Sequence, residues 1–208
     1  MDKIDKRPSI IIIEDHSIVR DGLINYFHKT GRFKVAGTAG NLDDAKKLLL
    51  STKTDILILD IQLKDGLGLS LIPWLKQEKD RNEEFPLIAI YTAYDDFVYV
   101  SAALTKGAQV YMNKRRSVEE LEEALLKAIN GEKIIDDTVQ TKLEILADTI
   151  DALTRREAEI FALVKSGLSN KQIADRLDIK VRTVENILSI IYDKVGVNSR
   201  QELQDYCL

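Results

Sequence analysis

Four short apolar runs in this chain each lead into a residue capable of phosphate or metal chemistry. Ile10–Ile13 is followed by Glu14 and Asp15, Ile56–Leu59 by Asp60, Leu87–Tyr91 by Thr92, and Gln109–Asn113 by Lys114. Taken singly, an aspartate after a strand is commonly a helix cap or a turn residue. Taken together, the four positions describe one site. Three carboxylates within a few ångströms repel one another unless a cation intervenes. An all-oxygen donor set suits a hard divalent ion, and Mg2+, which keeps waters and leaves room for phosphate oxygens, fits best. Lys114 adds a point charge without adding a metal ligand. A carboxylate facing such an ion and a lysine is a reasonable phosphoryl acceptor, because both stabilise charge on the transferring oxygens. The Thr92 hydroxyl is placed to hydrogen-bond that phosphoryl group.

Bringing these residues together requires a parallel sheet. Ser9–Ile13, Phe33–Thr38, Ile56–Leu59, Leu87–Tyr91 and Gln109–Met112 read as five strands, most of them β-branched and buried on both faces. Helical spacing fills the intervals at about Ile18–His28, Leu42–Leu50, Leu69–Gln77, Phe97–Lys106 and Val118–Asn130. Asn41 and Ser117 are suited to N-caps, Ser117 with Glu120 as a capping box. Gly107 and Gly131 fall where helices should stop. Strand and helix alternate five times, so the expectation is an α/β, doubly wound, five-stranded parallel sheet. Ligands bind outside the carboxyl ends of such strands, where the strand order switches.

The runs Ile10–His16, Leu57-Ile-Leu-Asp60-Ile-Gln-Leu63, Ile90-Tyr-Thr92-Ala93 and Lys106–Lys114 resemble the receiver-domain signature of two-component response regulators, and the likeness covers about residues 8–131. The resemblance implies a phosphoaspartate at Asp60 and Mg2+ held by Glu14, Asp15, Asp60 and the backbone carbonyl of Gln62. It also implies a switch pair, Thr92 and Tyr111, that reorients on phosphorylation. Read on its own, Tyr111 is an amphipathic side chain half-buried near the sheet edge. Glu14 departs from the commoner aspartate, Leu63-Lys64 from Met-Pro, and Arg115 from Pro or Asp. His16, next to the acidic pair, reads as a partly exposed residue at a helix start.

Residues 132–150 read as a linker in which Val139–Leu146 forms a helix. Strands stop after Asp151. Capping boxes at Thr154/Glu157, Ser169/Gln172 and Ser199/Glu202, with a further start near Lys180, give a smaller all-α unit of four helices over 151–208. Val184, Ile187, Leu188, Ile191 and Val195 share one apolar face. Leu153–Ile160, Gly167–Ala174, Thr183-Val184 and Lys194–Leu203 resemble the LuxR/NarL-type helix-turn-helix. That resemblance makes Ser169–Leu177 the supporting helix, Asp178-Ile179-Lys180 the turn and Arg182–Val195 the helix that enters the major groove of double-stranded DNA. Lys180, Arg182, Thr183, Asn186 and Ser189 are its candidate contacts, Lys171 and Lys194 its candidate phosphate anchors, and Asn186 can pair with adenine. Glu185 stands where the family usually has a basic residue, a feature that resembles its competence-type branch, and Ile187 where it has His or Tyr.

Bulk charge does not argue for nucleic acid: the 208 residues carry a net −4. From Asp148 onward there are 9 basic and 10 acidic residues, so DNA binding must rest on a motif and a local patch. No apolar run approaches membrane-spanning length and Met1–Arg7 does not read as a signal peptide. The single cysteine, Cys207, fits a reducing cytoplasm. The expected partners are a sensor histidine kinase, DNA and a second copy of the chain, paired on phosphorylation. One alternative is a phospho-receiver acting by protein–protein contact through a degenerate DNA-binding domain. An aspartate-nucleophile phosphatase would need an acid two residues after Asp60, where Gln62 stands, so no enzyme is expected.

Overall fold

The computed structural model describes residues 7–78, 84–95, 97–141, 144 and 153–205. Two compact units divide between Asp136 and Asp137. Cys207, Asp151 and half of the Val139–Leu146 segment lie outside the described residues, although residues 137–141 are helical.

In the first unit the strands are β1 (Ser9–Ile13), β2 (Lys34–Ala39), β3 (Ile56–Leu59), β4 (Gln62–Leu63), β5 (Gly66–Leu67), β6 (Leu87–Thr92), β7 (Val110–Asn113) and β8 (Ile134–Ile135). The helices are α1 (Ser17–Thr30), α2 (Leu42–Ser51), α3 (Leu71–Glu78), α4 (Phe97–Lys106) and α5 (Val118–Ile129). The main sheet has six strands in the order β2-β1-β3-β6-β7-β8, and β4 and β5 form a separate antiparallel hairpin. Five strands were expected. The sixth, β8, lies in the stretch read as linker, where two apolar residues between charged ones are too short for a strand signal. Its partner is β7, paired in parallel through Val110–Ile134 and Tyr111–Ile135.

Both faces of the sheet are dry. Ile10, Ile12, Ile56, Ile58, Ala89 and Val110 pack with Leu23, Phe27, Leu121 and Leu125 of α1 and α5. The alternate positions, Ile11, Ile13, Leu57, Leu59, Ile88, Ile90 and Tyr111, are equally buried on the opposite face. Each such isoleucine or leucine contributes on the order of 2 kcal/mol of burial. Asn41 caps α2 by accepting from the Asp44 amide at 2.8 Å, and Ser117 with Glu120 closes the capping box of α5.

The second unit contains α6 (Arg155–Lys165), α7 (Asn170–Leu177), α8 (Val181–Val195) and α9 (Arg200–Asp205). Its core joins Ile160, Phe161, Val164, Ile173, Val184, Leu188, Ile191, Val195 and Leu203, with Ile187 half-buried at the margin. The boxes at Thr154 and Ser169 form as expected. At the third, Ser199 accepts from the Glu202 amide at 3.1 Å, but the Glu202 carboxylate reaches back to Asn198 rather than to Ser199. Between α7 and α8 the chain turns through Asp178 in the left-handed region, φ 50° and ψ 50°. Gly196, at φ 73°, ends α8 where an L side chain would be strained.

Candidate functional site

Strand order places the first site. β1 pairs with β2 on one side and with β3 on the other, so the sheet opens a crevice at the carboxyl ends of β1 and β3. Ile13 lies opposite Leu59, which sets Glu14 beside Asp60. Thr92 lies opposite Asn113, and the Lys114 amide donates to the Thr92 carbonyl at 2.7 Å. All four strand ends therefore meet although about a hundred residues separate the first from the last.

The Asp60 carboxylate is gripped from two sides. Its Oδ1 accepts from the Thr92 hydroxyl at 2.7 Å and from the Ile61 amide at 2.7 Å. Its Oδ2 accepts from Lys114 Nζ at 2.6 Å, and the same ammonium lies 2.5 Å from Glu14 Oε2. Burial opposes the charged form of Lys114, but its hydrogen bonds to Asp60 and Glu14 outweigh it and hold its pKa above the ordinary lysine range. Glu14 is further fixed by the His16 amide on Oε1 at 3.0 Å and by Arg20, which donates to its backbone carbonyl at 2.7 Å. His16 is the exposed N-cap of α1, as its position suggested.

The donor set fits a hard divalent cation. Ligand atoms of Glu14, Asp15, His16 and Asp60 lie within 4.8 Å of one another. Asp15 Oδ1 is buried and receives no hydrogen bond; His16 Nδ1 is 2.8 Å away but poorly aligned for one. One lysine cannot neutralise three carboxylates, and a bare buried carboxylate oxygen is costly unless a cation or donor meets it. Gln62, exposed and two residues beyond Asp60, opens the β4–β5 hairpin. Behind Asp60, Gly68 leaves no room for a side chain, since a Cβ there would clash with the Asp60 carbonyl oxygen.

Tyr111 is fully buried rather than half-buried, with its hydroxyl donating to the Tyr94 carbonyl at 2.8 Å. The Tyr94 amide in turn lies 3.4 Å from the Thr92 hydroxyl oxygen, so Thr92 and Tyr111 are linked through one residue. Sequence reasoning missed Arg20, Gly68 and the pair Arg116–Asp136. Arg116 Nε donates to Asp136 Oδ2 at 2.8 Å and its second nitrogen to Oδ1 at 3.3 Å. Of these only Gly68 carries a local sign, a glycine where the chain doubles back past Asp60.

In the second unit, Lys171, Lys180, Arg182, Thr183, Asn186 and Ser189 are all exposed. Arg182, Thr183, Asn186 and Ser189 lie on α8 away from its buried positions Val184, Leu188, Ile191 and Val195. Lys194 is engaged elsewhere: its ammonium donates to Glu157 Oε2 at 2.7 Å and so braces the capping box of α6. This bond, followed by the Thr154 backbone amide, holds the Glu157 carboxyl below the usual glutamate range.

Comparison with known proteins gives this geometry a family. The response regulator receiver domain matches residues 10–126, more than half of the chain. The luxR family of bacterial regulatory proteins matches residues 151–207. This chain belongs to the response regulators. The regulator is 32% identical over 213 residues to the oxygen regulatory protein NreC of Staphylococcus aureus, a match covering 96% of each chain. Solved structures with the same fold include two RcsB dimers bound to two parallel DNAs, at a TM-score of 0.72 and 23% identity over 96% of the regulator and 97% of RcsB. RcsB of Salmonella enterica serovar Typhimurium, bound to a promoter in the presence of phosphomimetic BeF3−, superposes at 0.68 with 24% identity over 96% and 97% of the two chains. No helix among the described residues is long and apolar enough to cross a membrane.

Proposed function

We propose that Asp60 takes a phosphoryl group from a sensor histidine kinase, and that the phosphorylated chain, as a homodimer, regulates transcription by binding double-stranded DNA through α8. The observation that carries this reading is the double grip on Asp60, by Thr92 on one oxygen and Lys114 on the other, beside the orphaned Asp15 oxygen. In the transfer, an Asp60 carboxylate oxygen forms a bond to phosphorus while the bond from phosphorus to the kinase's imidazole nitrogen breaks. The imidazole keeps the electron pair and takes up a proton.

Mg2+, held by Glu14, Asp15, Asp60 and the Gln62 carbonyl, supplies positive charge against the phosphoryl oxygens when bound. Lys114 stays near the same oxygens as a second charge. The Thr92 hydroxyl leaves Asp60 Oδ1 for a phosphoryl oxygen, and Tyr111 follows through Tyr94 as the second half of the switch. In the helical unit Arg182, Thr183, Asn186 and Ser189 face the major groove, and Lys171 and Lys180 reach phosphates. The RcsB dimers on DNA and the promoter complex formed with a phosphomimetic support this order of events. The proposal places the chain in the cytoplasm with its kinase.

Treatment with acetyl phosphate and Mg2+ tests the reading. The expected result is a mass gain of one phosphoryl group, lost in Asp60→Asn, a dimer by light scattering, and tighter binding to promoter fragments. A dimer and DNA binding unaffected by Asp60→Asn under the same treatment would overturn it.

A further inference from the structure

The outward face of α8 carries a carboxylate where the family usually has a basic residue. Glu185 is exposed, and it has no hydrogen-bond or ion-pair partner among the described residues. Its helical neighbours at spacings of three and four are Arg182 and Ser189, with Asn186 beside it, all exposed and equally unpartnered among the described residues. The buried stripe of Val184, Leu188, Ile191 and Val195 fixes this face outward, so Glu185 cannot turn into the core. Lys194, a cation of the same helix, is bound to Glu157 and lies beyond the reading turn.

If α8 lies in the major groove, Glu185 faces either the phosphate backbone or the base edges. A carboxylate repels phosphate, so the first position weakens binding to every sequence. The second requires a hydrogen-bond donor. The major groove offers two, the N4 amino group of cytosine and the N6 amino group of adenine. Adenine sets its amino group beside N7, an acceptor that opposes a carboxylate. Cytosine sets N4 beside a C–H. Adenine is instead the complement of Asn186, whose amide both donates and accepts.

We infer that Glu185 is a specificity-determining residue that accepts a hydrogen bond from cytosine N4, so that each half-site carries a G·C pair of fixed orientation at one step. The inference rests on the proposed docking of α8 in DNA. The partnerless carboxylate also keeps affinity for non-cognate DNA low.

Selection from a random duplex pool tests this, using the full chain with acetyl phosphate and Mg2+, alongside Glu185→Ala and Glu185→Gln. Both substitutions are at an exposed, partnerless position, and thermal melting verifies that the fold is unchanged. The native chain should enrich a half-site with an invariant cytosine, preferred roughly ten-fold. Glu185→Ala should lose the preference at that position alone while binding random DNA more tightly. Glu185→Gln should shift the preference toward adenine, since glutamine pairs with N6 and N7. A motif lacking a fixed cytosine, or one that both variants retain unchanged, overturns the inference. A native chain that enriches no motif overturns the DNA-binding reading itself.

Discussion

Thr92 donates its hydroxyl to Asp60 Oδ1 at 2.7 Å, onto an oxygen that already accepts the Ile61 amide at 2.7 Å. With Lys114 on Oδ2, both oxygens of the proposed acceptor are engaged before any phosphoryl group arrives. Phosphorylation must therefore displace at least one of these donors, and the displaced hydroxyl is the natural start of a conformational signal. Thr92→Ala should accept phosphate from acetyl phosphate yet fail to dimerise in response. Phosphorylation by intact mass and oligomer size by light scattering, taken together, distinguish this from simple loss of the site.

Lys114→Met removes the ammonium shared by Glu14 and Asp60. Loss of one preorganised donor at developing charge costs about a hundred-fold in rate or more. The rate of phosphoryl uptake should fall by that order, and an undiminished rate would remove Lys114 from the proposed chemistry.

Chelation should separate chemistry from folding. EDTA is expected to abolish phosphoryl uptake and leave the far-ultraviolet circular dichroism unchanged, because the Glu14 and Asp60 carboxylates already have partners in Lys114, Thr92 and the His16 and Ile61 amides. Asp15→Asn should weaken Mg2+ binding in titration calorimetry with little change in melting temperature.

Arg116 and Asp136 form a two-pronged pair in which the aspartate side chain is 1% exposed and the arginine 32%. Removing the arginine takes a two-pronged charged partner from a buried carboxylate, at about 3 kcal/mol. Removing the aspartate strands a group that water can still reach, so Asp136→Ala should cost less, about 1 to 2 kcal/mol. Urea denaturation of both variants checks the asymmetry, and equal losses would contradict it.

Acid should loosen the helical unit by a defined route. Glu157 has its pKa lowered in the fold, chiefly by the Lys194 hydrogen bond. Its contribution is therefore present above the ordinary glutamate pKa and is lost as pH falls through the depressed folded value. Lys194→Met should melt earlier than the native chain at neutral pH, and the gap between them should close on acidification. A gap independent of pH would show that Lys194 contributes by packing alone.

Much of the proposed site is local in sequence. Glu14, Asp15, Asp60, Thr92 and Lys114 each follow a short strand-like run, so the strand pattern, with the rule that ligands bind at the carboxyl ends of a parallel sheet, indicates where they converge. What escaped depends on partners that no local pattern specifies. Lys194 reads as an available cation until Glu157, 37 residues earlier, accepts its hydrogen bond. Tyr111 reads as amphipathic, but only the packed sheet shows its ring enclosed and its hydroxyl bound to a carbonyl 17 residues back. Arg116 and Asp136 look like two ordinary surface charges until β8 brings them together.

β8 has a consequence for the life of the chain before and after folding. Its Ile134 and Asp136 amides donate to the Gln109 and Tyr111 carbonyls at 2.8 and 2.9 Å, covering the outer rim of β7. Without those residues β7 would be a terminal strand with its peptide groups bare, a template on which an extended segment of another molecule can add. The stretch that leads out of the first unit thus doubles as its guard against self-templated aggregation. A fragment ending at Gly131 should precipitate during expression where one ending after Asp136 stays dispersed.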